Sequence, residues 1–178
     1  MKKLSFQEIQ EKKPSAEEVK TMPRNEIYAI LDNVRSLHNV GAIFRSADAV
    51  MMAKLYLCGI TGCPPRKEIN KTALGAEEIV PWEQKDEAVE AVREMKRKGV
   101  KVVAVELAEG SLAYDEMKID GPVCFVFGHE VEGISDEVME ECDMAVELPM
   151  LGRANSLNVA TCFGVVMYNA LSKLKNNL

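Results

Sequence analysis

Phe125-Val126-Phe127-Gly128-His129-Glu130-Val131-Glu132-Gly133-Ile134-Ser135 decides how this chain is folded. Residues 123–127 are a short, continuous apolar run, the pattern of a strand buried on both faces of a parallel sheet. A Gly-rich turn follows, and Ser135-Asp136-Glu137 has the composition of a helix cap and an acidic first turn. Strand, turn and helix in that order point to an α/β fold. Gly128 and Gly133 have the spacing of a phosphate-binding loop, but Ile134 stands where that loop needs a lysine, which excludes it. No Gly-x-Gly-x-x-Gly follows any strand, which argues against the usual dinucleotide fold.

Working outward, strands are expected at residues 27–31, 55–58, 101–105 and 145–148. Helices are expected at 39–51, at 85–98 with Ala88, Val92 and Met95 on one face, and at 136–141. In Asn39-Val40-Gly41-Ala42-Ile43-Phe44-Arg45, residues Val40, Ile43, Phe44 and Ala47 make one apolar stripe, with Asn39 a plausible N-cap. Arg45 points off the edge of that stripe, where it serves either as a solvated flank or as a fork for an anion or phosphate. The order of elements gives an α/β class, with a mainly parallel sheet flanked by helices. Ser15-Ala16-Glu17-Glu18 is a capping-box pattern, so residues 1–24 read as an N-terminal extension with a short helix, packed on a domain of residues 25–178.

Leu148-Pro149-Met150-Leu151-Gly152 leads through Asn155, Ser156 and Asn158 into a last helix, expected over residues 157–174. That helix is apolar on nearly every side, so it must be enclosed by its own domain or by a second subunit. A two-fold homodimer would cover it, through an interface including Phe163, Met167, Tyr168 and residues of the 39–51 helix. Ser156 and Asn158 can cap the helix or serve a site at its mouth.

At 178 residues the chain reads as one domain, with no repeat, linker or attached RNA-binding domain. No long uniformly apolar run suggests a membrane span, and the first residues lack the apolar core of a signal peptide. Five cysteines without a Cys-x-x-Cys pair imply reduced thiols in a cytoplasmic protein, and only two histidines argue against a metal site. The net charge of −6 and pI near 5.1 run against the basic footprint of a nucleic-acid binder, so any such contact needs a local patch. Candidates are Arg24, Arg35, Arg45, Lys54, Arg66, Lys67, Lys71 and Arg153. The run Arg93, Lys96, Arg97, Lys98 and Lys101 instead complements the dipole of the helix ending at Gly99.

Together the three segments resemble the three motifs of the SpoU (TrmH) family of RNA ribose 2′-O-methyltransferases, in the SPOUT superfamily. Asn39, Gly41 and Arg45 match its Asn-x-Gly-x-x-x-Arg helix, and Gly128, Glu130 and Gly133 its Gly-x-Glu-x-x-Gly turn. Pro149-Met150 with Ser156-Leu157-Asn158 match its third motif, and Gly75-Ala76-Glu77 a lesser stretch between. The resemblance implies a C-terminal deep trefoil knot, a homodimer, S-adenosylmethionine as cofactor and structured RNA as substrate; with no accessory domain seen, transfer RNA is expected slightly ahead of ribosomal RNA. By motif alignment the cofactor lies against Gly128, Leu148 and Leu157, with Val105 a further contact. Arg45 becomes the central catalytic residue, Asn39 fixes geometry or touches substrate, Glu130 partners an arginine fork or, as a turn residue, caps nearby N–H groups, and Ser156 and Asn158 orient ribose or cofactor. His129, where relatives often have Asn or Gln, and Arg153 depart from the pattern. Base methylation by the same fold, and a non-catalytic binding descendant of it, are the alternatives.

Overall fold

A computed structural model describes residues 1–176. Two short helices, α1 (Phe6–Gln10) and α2 (Ala16–Thr21), precede β1 (Asn25–Asp32), α3 (Leu37–Ala49) and β2 (Met52–Cys58). Then come α4 (Lys67–Ala73), a 3₁₀ turn at Ala76–Glu78, β3 (Trp82–Lys85), α5 (Ala88–Arg97), β4 (Lys101–Val105) and β5 (Leu112–Ala113). The chain continues through β6 (Val123–Phe127), α6 (Asp136–Glu141), β7 (Met144–Glu147) and α7 (Val159–Asn176). All seven strands are parallel, in the order β3-β2-β1-β6-β4-β7-β5.

The central strands are mainly apolar because both faces are covered. Ile27, Ala29, Leu31, Val123, Phe125 and Phe127 join α3, α4 and α7 in one core cluster. Their neighbours Ile30, Cys124 and Val126 point the other way, into a second cluster with α5 and α6. The period of two along each strand sorts the side chains between these layers. Gly41 is the closest meeting of α3 and α4: a Cβ there would lie 2.1 Å from Thr72 Oγ1 and 2.3 Å from the Ile69 carbonyl. The excursion between β4 and β6 runs out to the sheet edge at β5 and returns past α7, where Lys173 Nζ donates to the carbonyls of Asp115 (2.7 Å) and Met117 (2.5 Å).

The expected α/β class and the main strands hold, while several local expectations are corrected. Lys85 belongs to β3 rather than to a helix, and α5 begins at Ala88. Neither β3, β5 nor α4 was foreseen. Helix α3 starts at Leu37, two residues early, because Ser36 Oγ accepts from the Asn39 N–H (3.3 Å); Asn39 is not the cap. Ser135 precedes α6 without capping it, and its hydroxyl donates to Asp32 Oδ2 (2.9 Å) instead. Both α1 and α2 carry complete capping boxes, yet neither buries a residue, so these helices add nothing to the core.

The last helix departs furthest from the reading. Phe163 and Met167 are wholly buried in their own chain's core, so they are not interface residues. Among residues 159–174 the exposed positions of α7 form a single stripe, Thr161, Val165, Tyr168 and Ser172, spaced as one helical face and continued by Leu157 in the exposed lead-in. No described helix is long and apolar enough to cross a membrane.

Candidate active site

In an open parallel sheet, ligands collect beyond the carboxyl ends of the strands where successive connections diverge in direction. Here β1 leads outward to β2, whereas β6 leads across β4 to β7. At that end lies a cleft of about 930 Å³. Its floor holds Val105, Phe127 and Glu147 from the ends of β4, β6 and β7. Phe127 stacks obliquely on Phe163 of α7, with centroids 5.1 Å apart, which fixes the floor to the core. The turn after β6 forms one wall and residues 148–159 the other.

The turn after β6 is tied down from both sides. His129 and Gly133 exchange backbone hydrogen bonds of 2.9 and 3.0 Å, closing it into a small antiparallel bridge. Gly133 sits at φ +73°, a conformation open to glycine, and its amide neighbour Ile134 N–H donates to Glu106 Oε2 (3.1 Å). A Cβ on Gly128 would lie 2.2–2.4 Å from the Gly133 and Ile134 backbone. Glycine is therefore required there by the turn itself. His129 Nδ1 accepts from the N–H groups of Val131 (3.2 Å) and Glu132 (3.1 Å).

Glu130 links this turn to α3. Its carboxylate accepts from the backbone N–H groups of Arg35 (3.1 Å) and Ser36 (3.1 Å) and from Asn39 Nδ2 (3.2 Å). Burial alone would raise its pKa; the N–H groups of Arg35, Glu130 itself, Ser36 and Asn39 together outweigh that and hold it below the ordinary carboxylate value. Of the two readings of Glu130, the capping of nearby N–H groups holds, with the positive end of α3 supplying donors, and no arginine fork reaches it among the described residues. Asn39 Oδ1 in turn accepts from Asn158 Nδ2 (3.0 Å), and Asn158 Oδ1 caps α7 by accepting from Ala160 (3.0 Å) and Thr161 (3.3 Å). Glu130, Asn39 and Asn158 thus form one relay joining three segments far apart in sequence.

Of the residues expected at the site, Val105, Gly128, Leu148 and Leu157 all line the cleft, as do Glu130, Ser156 and Asn158. Asn39 stands behind the turn and lines an adjoining hollow. Arg45 is exposed on α3 and lines neither space. The sequence reading missed Glu106 and Glu147 in the cleft wall. Their only signal was position: each stands at or just past the carboxyl end of a strand, β4 and β7. The expected basic patch also shrinks. Arg24 donates to the carbonyls of Met52 (3.1 Å) and Ile79 (2.8 Å), and Lys54 pairs with Glu83. Within α5 and its C-terminal end, Arg93 pairs with Glu137 and Glu141, Lys96 with Asp143 and Lys98 with Glu94.

The sequence profile of the SpoU rRNA Methylase family matches residues 26–168. The chain belongs to that family. It is 33% identical over 154 residues to the tRNA (guanosine(18)-2′-O)-methyltransferase of Aquifex aeolicus, covering 86% of this chain and 72% of that one. Among solved structures, the A. aeolicus TrmH/SpoU tRNA modifying enzyme superposes with a TM-score of 0.81 at 31% identity, over 90% of this chain and 81% of the other. The AdoMet-bound rRNA methyltransferase of Sinorhizobium meliloti superposes with a TM-score of 0.78 at 31% identity, over 88% of this chain and 60% of the other. The chain therefore has the α/β-knot fold that its motifs implied.

S-adenosylmethionine fits the cleft on its own terms. The volume lies within the usual range of small-molecule sites, roughly 300–1,000 Å³. Val105, Leu107, Phe127, Leu148 and Leu157 offer apolar cover for an adenine ring, and Glu106 and Glu147 suit a ligand carrying sulfonium and ammonium charges.

Proposed function

We propose that this protein transfers the methyl group of S-adenosylmethionine to a ribose 2′-hydroxyl of structured RNA. The observation that carries the reading is the relay of Glu130, Asn39 and Asn158, which locks three family motifs around one cleft. The cofactor supplies an electrophilic methyl group. The chain's task is then to hold the hydroxyl in line with it and to stabilise charge on the oxygen, so positioning carries much of the rate. Leu148, Leu157, Val105 and the Gly128 turn form the cofactor's bed; Ser156, exposed at the cleft mouth, faces the ribose.

Arg45 is the group we assign to the reacting oxygen. A guanidinium has no proton-accepting lone pair to offer, so its role is to stabilise developing alkoxide charge rather than to remove the proton. Because Arg45 lines no part of its own chain's cleft, a second copy must bring it there. The exposed stripe of Leu157 (41%), Val165 (37%) and Tyr168 (56%), beside α3, is the face we assign to that two-fold contact. Transfer RNA is the substrate we favour, by analogy with the A. aeolicus tRNA (guanosine(18)-2′-O)-methyltransferase, 33% identical over 86% of this chain.

Calorimetry with S-adenosylhomocysteine is expected to give one site per chain, and sedimentation equilibrium a species twice the 19.7 kDa chain mass. Absence of binding at millimolar ligand would defeat the cofactor assignment. A clean monomer that still transfers methyl groups would defeat the shared site.

A further inference from the structure

Beside the cofactor cleft lies the second hollow, of about 380 Å³, lined by Arg35, Ser36, Asn39, His129, Glu130 and Val131. It shares His129, Glu130 and Val131 with the cleft, so an occupant would sit next to the transferred group. Three features give the hollow its chemistry. The Arg35 backbone is pinned by its N–H on Glu130 Oε2 (3.1 Å), while its exposed guanidinium makes no side-chain hydrogen bond or ion pair among the described residues. His129 Nδ1 is occupied by two backbone donors, so a neutral imidazole carries its proton on Nε2 and keeps that N–H for a ligand. The Glu130 carboxylate would repel an anion, but three N–H donors already spread its charge.

We propose that this hollow is a phosphate subsite, in which the Arg35 guanidinium and the His129 Nε2–H hold the RNA backbone phosphate next to the ribose being methylated. The inference rests on the functional reading above and adds substrate contacts to it. Every internal ribose 2′-hydroxyl has a 3′-phosphate on the same sugar, so a cation anchored beside the methyl group meets that phosphate first. Arginine suits it, because its planar fork matches phosphate oxygens two at a time. Arg35 is a distinct contribution from Arg45, which stands on the exposed flank of α3 and lines no part of the hollow.

The test uses the full chain saturated with S-adenosylhomocysteine and unmodified transfer RNA transcripts, with affinity followed against salt. Arg35→Ala is expected to weaken RNA binding about tenfold and to lower the slope of log K against log salt by about 1, with cofactor affinity unchanged. Arg35→Lys should restore the slope but only part of the affinity. His129→Asp keeps an acceptor for the Val131 and Glu132 N–H groups and replaces the donor with a charge, so it should weaken RNA binding further than Arg35→Ala. Lys101→Ala, at the opposite end of the strands, should change nothing. Wild-type affinity and slope in Arg35→Ala, or an equal loss in Lys101→Ala, would overturn the proposal. RNA binding that depends on Arg35 without any methyl transfer would sink the functional reading and leave the subsite standing; transfer with an unchanged KM in Arg35→Ala would do the reverse.

Discussion

Two polar networks in this molecule are built on opposite terms. On β2, β3 and α5, Lys54 and Lys85 pair with Glu83, Lys85 and Lys98 pair with Glu94 (3.0 and 2.7 Å), and Tyr56 donates to Glu94 (2.9 Å). There each charge finds its opposite: the Lys98 ammonium, with Lys85 and Tyr56, outweighs burial and holds Glu94 down to about 2. Around the cleft, Glu130 is satisfied by amides alone, and Arg35, Arg45 and Arg153 are left without ion pairs among the described residues. The first network neutralises itself and serves the fold. The second spends neutral donors on Glu130 and keeps its cations available. That difference is how a chain of net charge −6 can present a local face to a polyanion.

The largest effect should come from the unpaired side. Arg45→Ala is expected to cost roughly 10²–10⁴-fold in methyl-transfer turnover, the range for a positioned catalytic group, with S-adenosylhomocysteine affinity unchanged by calorimetry. Equal losses in both would mean that Arg45 supports the fold rather than the oxygen. Next, Gly128→Val must push apart the Gly133 and Ile134 backbone. Overpacking of this kind typically costs about 1–3 kcal/mol, so thermal denaturation should show a lower midpoint and cofactor binding should be lost with it.

Within the relay, Asn158→Ala removes the α7 cap and should cost about 0.5–2 kcal/mol. A double-mutant cycle with Asn39→Ala should show coupling of about 0.5 kcal/mol or more by denaturant unfolding; strict additivity would show that the 3.0 Å bond between them contributes nothing. Glu130 gives the relay a pH signature. Its folded pKa is lowered, so its contribution is present above the unfolded value of about 4.3 and is lost as pH falls through the depressed folded value. Glu130→Gln should therefore flatten the acid limb of the stability curve, with little change in slope near neutrality. The smallest effect belongs to the self-neutralised network: Lys98→Ala, at a partly exposed pair, should cost less than about 1 kcal/mol.

The apolar patterns made the central strands, α3, α5 and α7 legible, because burial on both faces leaves a continuous run in a strand, whereas burial of one face marks every third or fourth residue of a helix. β3 was not legible: Trp82-Glu83-Gln84-Lys85 is an edge strand whose charges pair laterally rather than face a core. At the site, residue types identified the cleft wall, but not what each side chain bonds. Asn39 and Glu130 were read through chemistry toward a ligand, whereas their partners are supplied by segments more than ninety residues away. Nor could the sequence tell which apolar residues of α7 face inward, since Phe163 and Tyr168 differ only in where the sheet happens to lie.

The central claim, methyl transfer to a ribose hydroxyl, is tested most directly by where the methyl group lands. Unmodified transfer RNA transcripts would be incubated with the protein and S-adenosylmethionine labelled in its methyl group, then hydrolysed with alkali. A 2′-O-methyl group removes the nucleophile that cleaves the adjacent phosphodiester, so the account predicts label in alkali-resistant dinucleotides. Label recovered in mononucleotides, as a methylated base would give, would contradict it.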